Sequence, residues 1–297
     1  MHLPMAYAPL KDRVVIFDDM VAAITRGGGI QSIVPPTLRS EYEDCNGRVL
    51  ISDFAGRDSV AACLQALHDD VFDTIIPIGD VVPSRYGDWG SYEENWLSFS
   101  EIVRQRHPSV DLKPWFLIDF TKLWSLINIE LSSLFEGKNG WFTPCVGCHL
   151  HFYGARAILA DAFGDDVVLV SGEKRIHRGG KRKANQTDAA LDGYRALASD
   201  SGLDHRFPIH SLDSEQEMEA LLGQPWPEGG RQMRCTHSGN DRDEEGVLKF
   251  SEADISSLLN EFLLPIVRAY LRLSKEGLDH QTRVRHILML FESEDEA

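Results

Sequence analysis

The chain predicts an α/β fold: a doubly wound, mostly parallel sheet of five strands, with helical appendages at both ends. Three observations lead there. Apolar strand-like runs alternate with amphipathic helical stretches from about residue 48 to residue 212, the pattern of a parallel sheet covered on both faces. A length of 297 residues is enough to bury a sizeable core. The composition, 43% hydrophobic and 26% charged, is that of a globular protein, and no apolar run approaches the ~20 residues that span a bilayer.

Taken in order, residues 1–46 form an N-terminal appendage, in which RVVIFDDMVAAI reads as a short strand or a helix before RGGG breaks it. A nucleotide-binding α/β domain is expected over 47–213. Its first strand is RVLISDF, followed by a helix through about His68. FDTIIPIGDVV is the second strand and SYEENWLSFSEIVRQRH a helix with mixed faces. KPWFLIDF is the third strand, with helical stretches over 121–135 and 145–163. DDVVLVSG is the fourth strand, NQTDAALDGYRALASDSG a helix ending near Gly202, and HRFPIHSL the fifth strand. Residues 214–297 make a C-terminal helical region: a short acidic helix, a polar loop, and ADISSLLNEFLLPIVRAYLRLSKEG, a long amphipathic helix with Pro265 at a kink. That helix offers a surface for a homodimer.

The formal net charge of −16 works against broad attachment to nucleic acid, whose phosphates repel an acidic surface. The N-terminal MHLPMAYAPLKDR lacks the basic start and long apolar stretch of a secretory signal, so a cytoplasmic location is expected, with no membrane partner. Five cysteines, at 45, 63, 145, 148 and 235, are an odd count that does not suit a disulfide framework. Cys45 and Cys63 read as bystanders.

Ligands in open α/β sheets sit beyond the carboxyl ends of the strands, which draws attention to the turn after the first strand. There Gly56 allows close approach of the backbone to an anion, and Ser59 carries a hydroxyl near the start of the next helix. Asp58 would cap the loop or help to bind a magnesium ion. The competing reading is an ordinary strand-to-helix turn. Further along, TPCVGCH places Cys145 and Cys148 one turn apart at a probable helix start, with Pro144 in the first turn and Cys235 as a distant third thiol. Three readings stand for them: an iron–sulfur cluster on three thiolates, a zinc site completed by His149, His151 or His237, or a redox pair or unrelated buried cysteines.

Phe54-Ala55-Gly56-Arg57-Asp58-Ser59 resembles the S-G-G-x-D-S pyrophosphate loop of the PP-loop ATP pyrophosphatase superfamily. Gly56, Asp58 and Ser59 match, while Phe54 and Ala55 stand where the family has Ser and Gly. A PP-loop followed by C-x-x-C and a distant cysteine is similar to the tRNA 2-thiocytidine synthetase branch, whose pattern maps onto Cys145, Cys148 and Cys235. The 7-cyano-7-deazaguanine synthase branch has a zinc site of four cysteines, a cluster this chain lacks. The resemblance spans roughly residues 48–240. It implies a HUP-like sheet, ATP with Mg2+ at Ala55, Gly56, Arg57, Asp58 and Ser59, with Asp58 and Ser59 catalytic, and Asp80 at the end of the second strand near the nucleotide. It also implies a [4Fe-4S] cluster on the three cysteines, with Zn2+ as the alternative. In the implied chemistry, ATP adenylates a carbonyl or carboxylate oxygen and sulfur then displaces AMP. A zinc-containing amide- or nitrile-forming ligase and a loop that binds nucleotide without turnover are the alternatives.

The stretch SGEKRIHRGGKRKANQ emerges on the same rim after the fourth strand. Lys181 and Arg182 are candidate catalytic cations for the triphosphate and the departing pyrophosphate, and Lys183 and Gly172 candidate nucleotide contacts. A solvated charged loop is the plain alternative. In SRYGDWGSYEENW, Tyr86, Trp89, Tyr92 and Trp96 either wall a pocket or anchor the loop to the core. The acceptor is expected to be a small molecule or nucleobase, with the basic loop leaving tRNA open.

Overall fold

The computed structural model describes residues 10–45, 47–163, 166–175, 182–212, 214–226 and 233–292. Lys181, with the rest of 176–181, lies outside the described residues.

The chain opens with β1 (Val14–Ile16), α1 (Phe17–Thr25) and α2 (Ile30–Ile33). The region 47–213 then begins with β2 (Val49–Asp53) and α3 (Arg57–Asp69), continuing through β3 (Thr74–Val81), the short β4 (Arg85–Tyr86) and α4 (Ser91–Arg106). β5 (Asp111–Leu112), β6 (Phe116–Asp119), α5 (Thr121–Ser125) and α6 (Ser132–Asn139) follow, then α7 (Pro144–Ala157) and α8 (Ala160–Phe163). β7 (Val167–Val170), α9 (Asp188–Ser199), β8 (Asp204–Arg206), α10 (Glu215–Leu222) and β9 (Arg234–Cys235) come next. The chain closes with α11 (Glu252–Ser257), α12 (Leu264–Lys275) and α13 (His280–Glu292).

The central sheet has seven strands in the order β1-β6-β3-β2-β7-β8, with β5 beside β3, and its pairings are parallel. It is thus α/β and mostly parallel, as expected, with two strands beyond the five. One is β1, which settles the ambiguous RVVIF stretch as an edge strand, so the N-terminal appendage contributes to the sheet. The other is β5. β5 pairs with the start of β3 and β6 with its end, and Pro114 lies in the gap between them. Proline has no N–H to give a ladder, so it divides what would otherwise be one strand.

Successive residues of a strand point to opposite faces, and here they build two cores. Ile51, Ile76 and Leu169 pack with α1, α7, α9 and α12 on one face. Leu50, Ile75 and Val168 pack with α3, α4 and α10 on the other. The C-terminal helix is interrupted by a π-helical turn, Leu258–Leu263, just before Pro265 in the first turn of α12. Its apolar side chains Ile266, Val267, Tyr270 and Leu273 are buried in this chain's own core, so they are not a free dimer face. Among the described residues no helix is long and apolar enough to cross a membrane.

One buried charge cluster ties α7 to the sheet. Arg156, fully buried, places Nη2 2.9 Å from Asp53 Oδ1 and 2.7 Å from Asp80 Oδ2, and donates to the carbonyl oxygens of Phe152 and Ile78. Burial pushes Asp80 up to about 6, against the pull of Arg156. Removing one partner of such a pair strands the others in a medium that solvates them poorly. Arg156→Met is expected to cost about 3–5 kcal/mol of stability in urea unfolding. A loss within experimental error would contradict the assignment of Arg156 as the strut between α7 and the strand ends.

Candidate functional site

After β6 the chain crosses back over β2 to form β7, so the strand order reverses between β2 and β7. Open α/β sheets bind ligands outside the carboxyl ends of the strands at this switch point. A cavity of about 380 Å³ lies there. It brings together most of the residues the sequence singles out: Ala55, Gly56, Arg57, Asp58 and Ser59 from the first loop, Gly172 and Lys183 from beyond β7, and Cys235 from β9.

The first loop closes on its own serine. Ser59 Oγ accepts from the N–H groups of Ala55 (3.0 Å) and Gly56 (3.1 Å) and donates to the Gly56 carbonyl (2.7 Å). Two backbone donors thus converge on one oxygen at the N-terminus of α3, where the helix dipole favours negative charge. Asn95 braces the loop by donating to the Ala55 carbonyl at 2.9 Å. The Phe54 ring is fully buried against Tyr92 and Phe99, so this position packs the core. Arg57 is held at 2.7 Å by Glu215 of α10.

Gly172 is required by contact. A Cβ there would stand 2.6 Å from the Asp58 carbonyl carbon and 2.7 Å from Ser59 N, so the two loops touch backbone to backbone. Next to it, buried Glu173 accepts from His149 Nδ1 (2.5 Å), Tyr153 OH (2.5 Å) and Gln186 Nε2 (2.7 Å). Burial alone would raise this carboxyl, but the His149 ring beside it and these hydrogen bonds hold it down at about 2. Glu173, His149 and Gln186 all line the cavity.

The thiols gather on the side of the cavity formed by β4 and β9. These strands pair antiparallel, with Arg85 opposite Cys235. Ser84 Oγ stands 3.9 Å from both Cys148 Sγ and Cys235 Sγ, and Cys145 Sγ lies 3.9 Å from the His237 carbonyl. Burial pushes the Cys145 thiol up to about 12 and the Cys148 thiol up to about 11. Among the described residues the buried Trp124 indole nitrogen has no nitrogen or oxygen partner, and it lies near enough to Cys148 to favour its thiolate. Among the described residues no group of three or more His, Cys, Asp or Glu side chains is arranged to hold a single metal ion. His151 is a core residue: Nε2 meets the Phe120 carbonyl at 2.9 Å, and burial pushes the ring down to about 3. Cys63 is fully buried and its thiol pushed up to about 12, as suits a bystander, and Cys45 stands apart from the cavity.

The structure does not bring every candidate to the cavity. Asp80 does not line it and is buried against Arg156. Arg182 turns outward to Glu252 at 3.1 Å. Lys174 is buried near Glu215, and Lys181 falls outside the described residues. In the aromatic stretch, Trp89 and Tyr92 are core anchors, Trp96 donates to the Lys113 carbonyl, and Tyr86 is half-exposed.

The chain matches no family model. It is 31% identical over 233 residues to the uncharacterized protein MJ0009 of Methanocaldococcus jannaschii, a match covering 77% of this chain and 80% of that one. The chain belongs to the MJ0009 family. The relative's name assigns this family no activity, so the chemistry of its members has to be read from the cavity.

Among the cavity residues that sequence reasoning missed are Asp53, Arg85, Asn95 and Glu173, and His149 is legible there only as a zinc ligand. Asp53 and Glu173 each lie at or just beyond the carboxyl end of a strand, which is the signal that could have found them. Because Glu173 is held below its ordinary 4.5, its ionised form adds stability above pH 4.5, and that stability is lost as pH falls toward about 2. The stability gap between the wild-type protein and Glu173→Gln is therefore expected to shrink on acidification through this window. Parallel curves in denaturant titrations at each pH would count against the assignment.

Proposed function

We propose that the β6-β3-β2-β7-β8 portion of the sheet is a HUP-like nucleotide-binding core and that the protein is an ATP-dependent enzyme of the PP-loop class. In this reading it adenylates a carbonyl or carboxylate oxygen and then transfers sulfur to the activated carbon. The observation that carries the reading is that Cys235 lines the same cavity as the 55–59 loop. Phosphate chemistry and thiol chemistry then share one chamber, which a two-step displacement needs.

The backbone donors of Ala55 and Gly56, the N-terminus of α3 and Lys183 would bind the phosphates. Asp53 and Asp58 are carboxylates on the cavity wall, and one or two carboxylates with substrate phosphates suffice for Mg2+. The acceptor oxygen attacks the α-phosphorus, the α–β phosphoanhydride bond breaks, and pyrophosphate leaves with its charge met by these groups. A sulfur nucleophile then adds to the activated carbon, and AMP departs with the oxygen.

In this reading Cys145, Cys148 and Cys235 would hold a [4Fe-4S] cluster. The otherwise unmatched indole donor of Trp124 suits a thiolate at Cys148. Held by these three thiolates, a cluster would supply the site that carries the sulfur to be transferred. The chain's own part is to keep Cys235 on the wall of the cavity that holds the 55–59 loop, with Cys148 beside the same Ser84 hydroxyl.

Anaerobic purification should give a brown protein with iron and labile sulfide, lost in Cys145→Ala, Cys148→Ala and Cys235→Ala. A colourless protein that binds zinc instead would overturn the sulfur-transfer reading. Ser59→Ala should weaken binding of a non-hydrolysable ATP analogue by roughly 10- to 100-fold, the scale of a hydrogen bond to a charged group. Unchanged affinity in equilibrium titration would remove the loop from the nucleotide site.

A further inference from the structure

Arg85 presents a cation that the reading so far leaves unused. It lines the cavity on β4, directly opposite Cys235 in the β4–β9 pairing. Its guanidinium stacks 4.8 Å over the Phe152 ring and donates through Nη1 to Tyr92 OH at 2.8 Å. Burial pushes the Tyr92 hydroxyl above its ordinary range, so it stays neutral and supplies no counter-charge. Among the described residues no carboxylate oxygen lies within ion-pair distance of Arg85, in contrast to Arg57, which has Glu215, and Arg156, which has Asp53 and Asp80. Cys148, Asp53 and Asp80 act on Arg85 through their charge alone, with no ion-pair contact. They make its charge tolerable without satisfying its fork of donors.

A guanidinium stacked on one face and pinned at one nitrogen leaves its remaining N–H groups oriented in a plane. That geometry matches a two-oxygen anion, which takes two parallel hydrogen bonds. We propose that Arg85 anchors the acceptor through an anionic group, a carboxylate or a phosphate, that is separate from the oxygen being activated. The proposal rests on the adenylation reading and adds to it the class of acceptor: a small molecule with its own negative charge, held on the Cys235 side of the cavity. The phosphate loop takes the nucleotide from the β2–β7 side, so the two anions occupy different walls.

The test uses inorganic phosphate and benzoate as probes. Each is titrated calorimetrically into the full-length protein, with and without a saturating non-hydrolysable ATP analogue that fills the loop. With the analogue present, the wild-type protein should still bind at least one probe, and Arg85→Gln should weaken that binding ~10-fold or more. Arg85→Lys keeps the charge but not the fork, so it should spare phosphate more than benzoate, and it serves if Arg85→Gln fails to fold. Arg268→Gln, which removes an exposed cation paired with Asp200, should change nothing. The tighter probe identifies the anion. The proposal falls if the wild type binds neither probe beside the analogue, or if both Arg85 variants bind as the wild type does. Arg85-dependent probe binding in a protein that ignores the analogue would retire the nucleotide reading and keep the anion site.

Discussion

The candidate site depends on one buried ionic contact, the Arg156 guanidinium between Asp53 and Asp80. Asp53 ends β2 and Asp80 lies near the end of β3, whereas Arg156 belongs to α7. The same helix carries Cys145, Cys148, His149, Phe152 and Tyr153. Fixing Arg156 therefore fixes the helix that supplies two thiols, the partner of Glu173 and the ring beneath Arg85. Charges taken out of water are costly unless matched, and here the mismatch of any register but this one would leave a carboxylate bare. The contact acts as a register pin between the thiol-bearing helix and the strand ends.

Around that pin the cavity divides its polar work. On the first wall two backbone N–H groups converge on Ser59 Oγ, a geometry that already holds an oxygen where an anion's oxygen would sit. On the second wall Glu173 gathers donors from His149, Tyr153 and Gln186, which locks three side chains at once. On the third, Ser84 sits by two sulfurs and Arg85 faces inward. The close fit of Gly172 against Asp58 and Ser59 keeps the first two walls in contact. A net charge of −16 over the chain makes this inward collection of arginine, lysine and helix-terminal dipole all the more local.

Part of this was readable in advance, and particular residues say why. β2 and β3 are apolar on both faces, so a buried parallel sheet follows from composition alone. The loop at Gly56 and Ser59 follows a strand end and precedes a helix, and the spacing of Cys145 and Cys148 is local. β1 was ambiguous because three apolar residues run directly into a helix, and only pairing with β6 decides the matter. The position of Asp80 near a strand end is legible in the sequence and its partner is not, because Arg156 lies far away in the chain. Arg182 sits in a basic run, yet Glu252, from a distant helix, draws it outward.

The sequence by itself determined the fold class, the strand-end loop and the identity of the thiol-bearing segments, because period, turn chemistry and short spacing are local properties. The tertiary structure alone decided which of these meet. Cys235 joins the cavity through a two-residue strand paired with β4, Glu173 becomes a hub through donors from α7 and from the segment before α9, and Arg85 faces inward with no carboxylate paired to it among the described residues. Each of those outcomes depends on contacts between residues distant in the chain, and the free energy that selects them comes from burying charge and apolar surface together, which no local window contains.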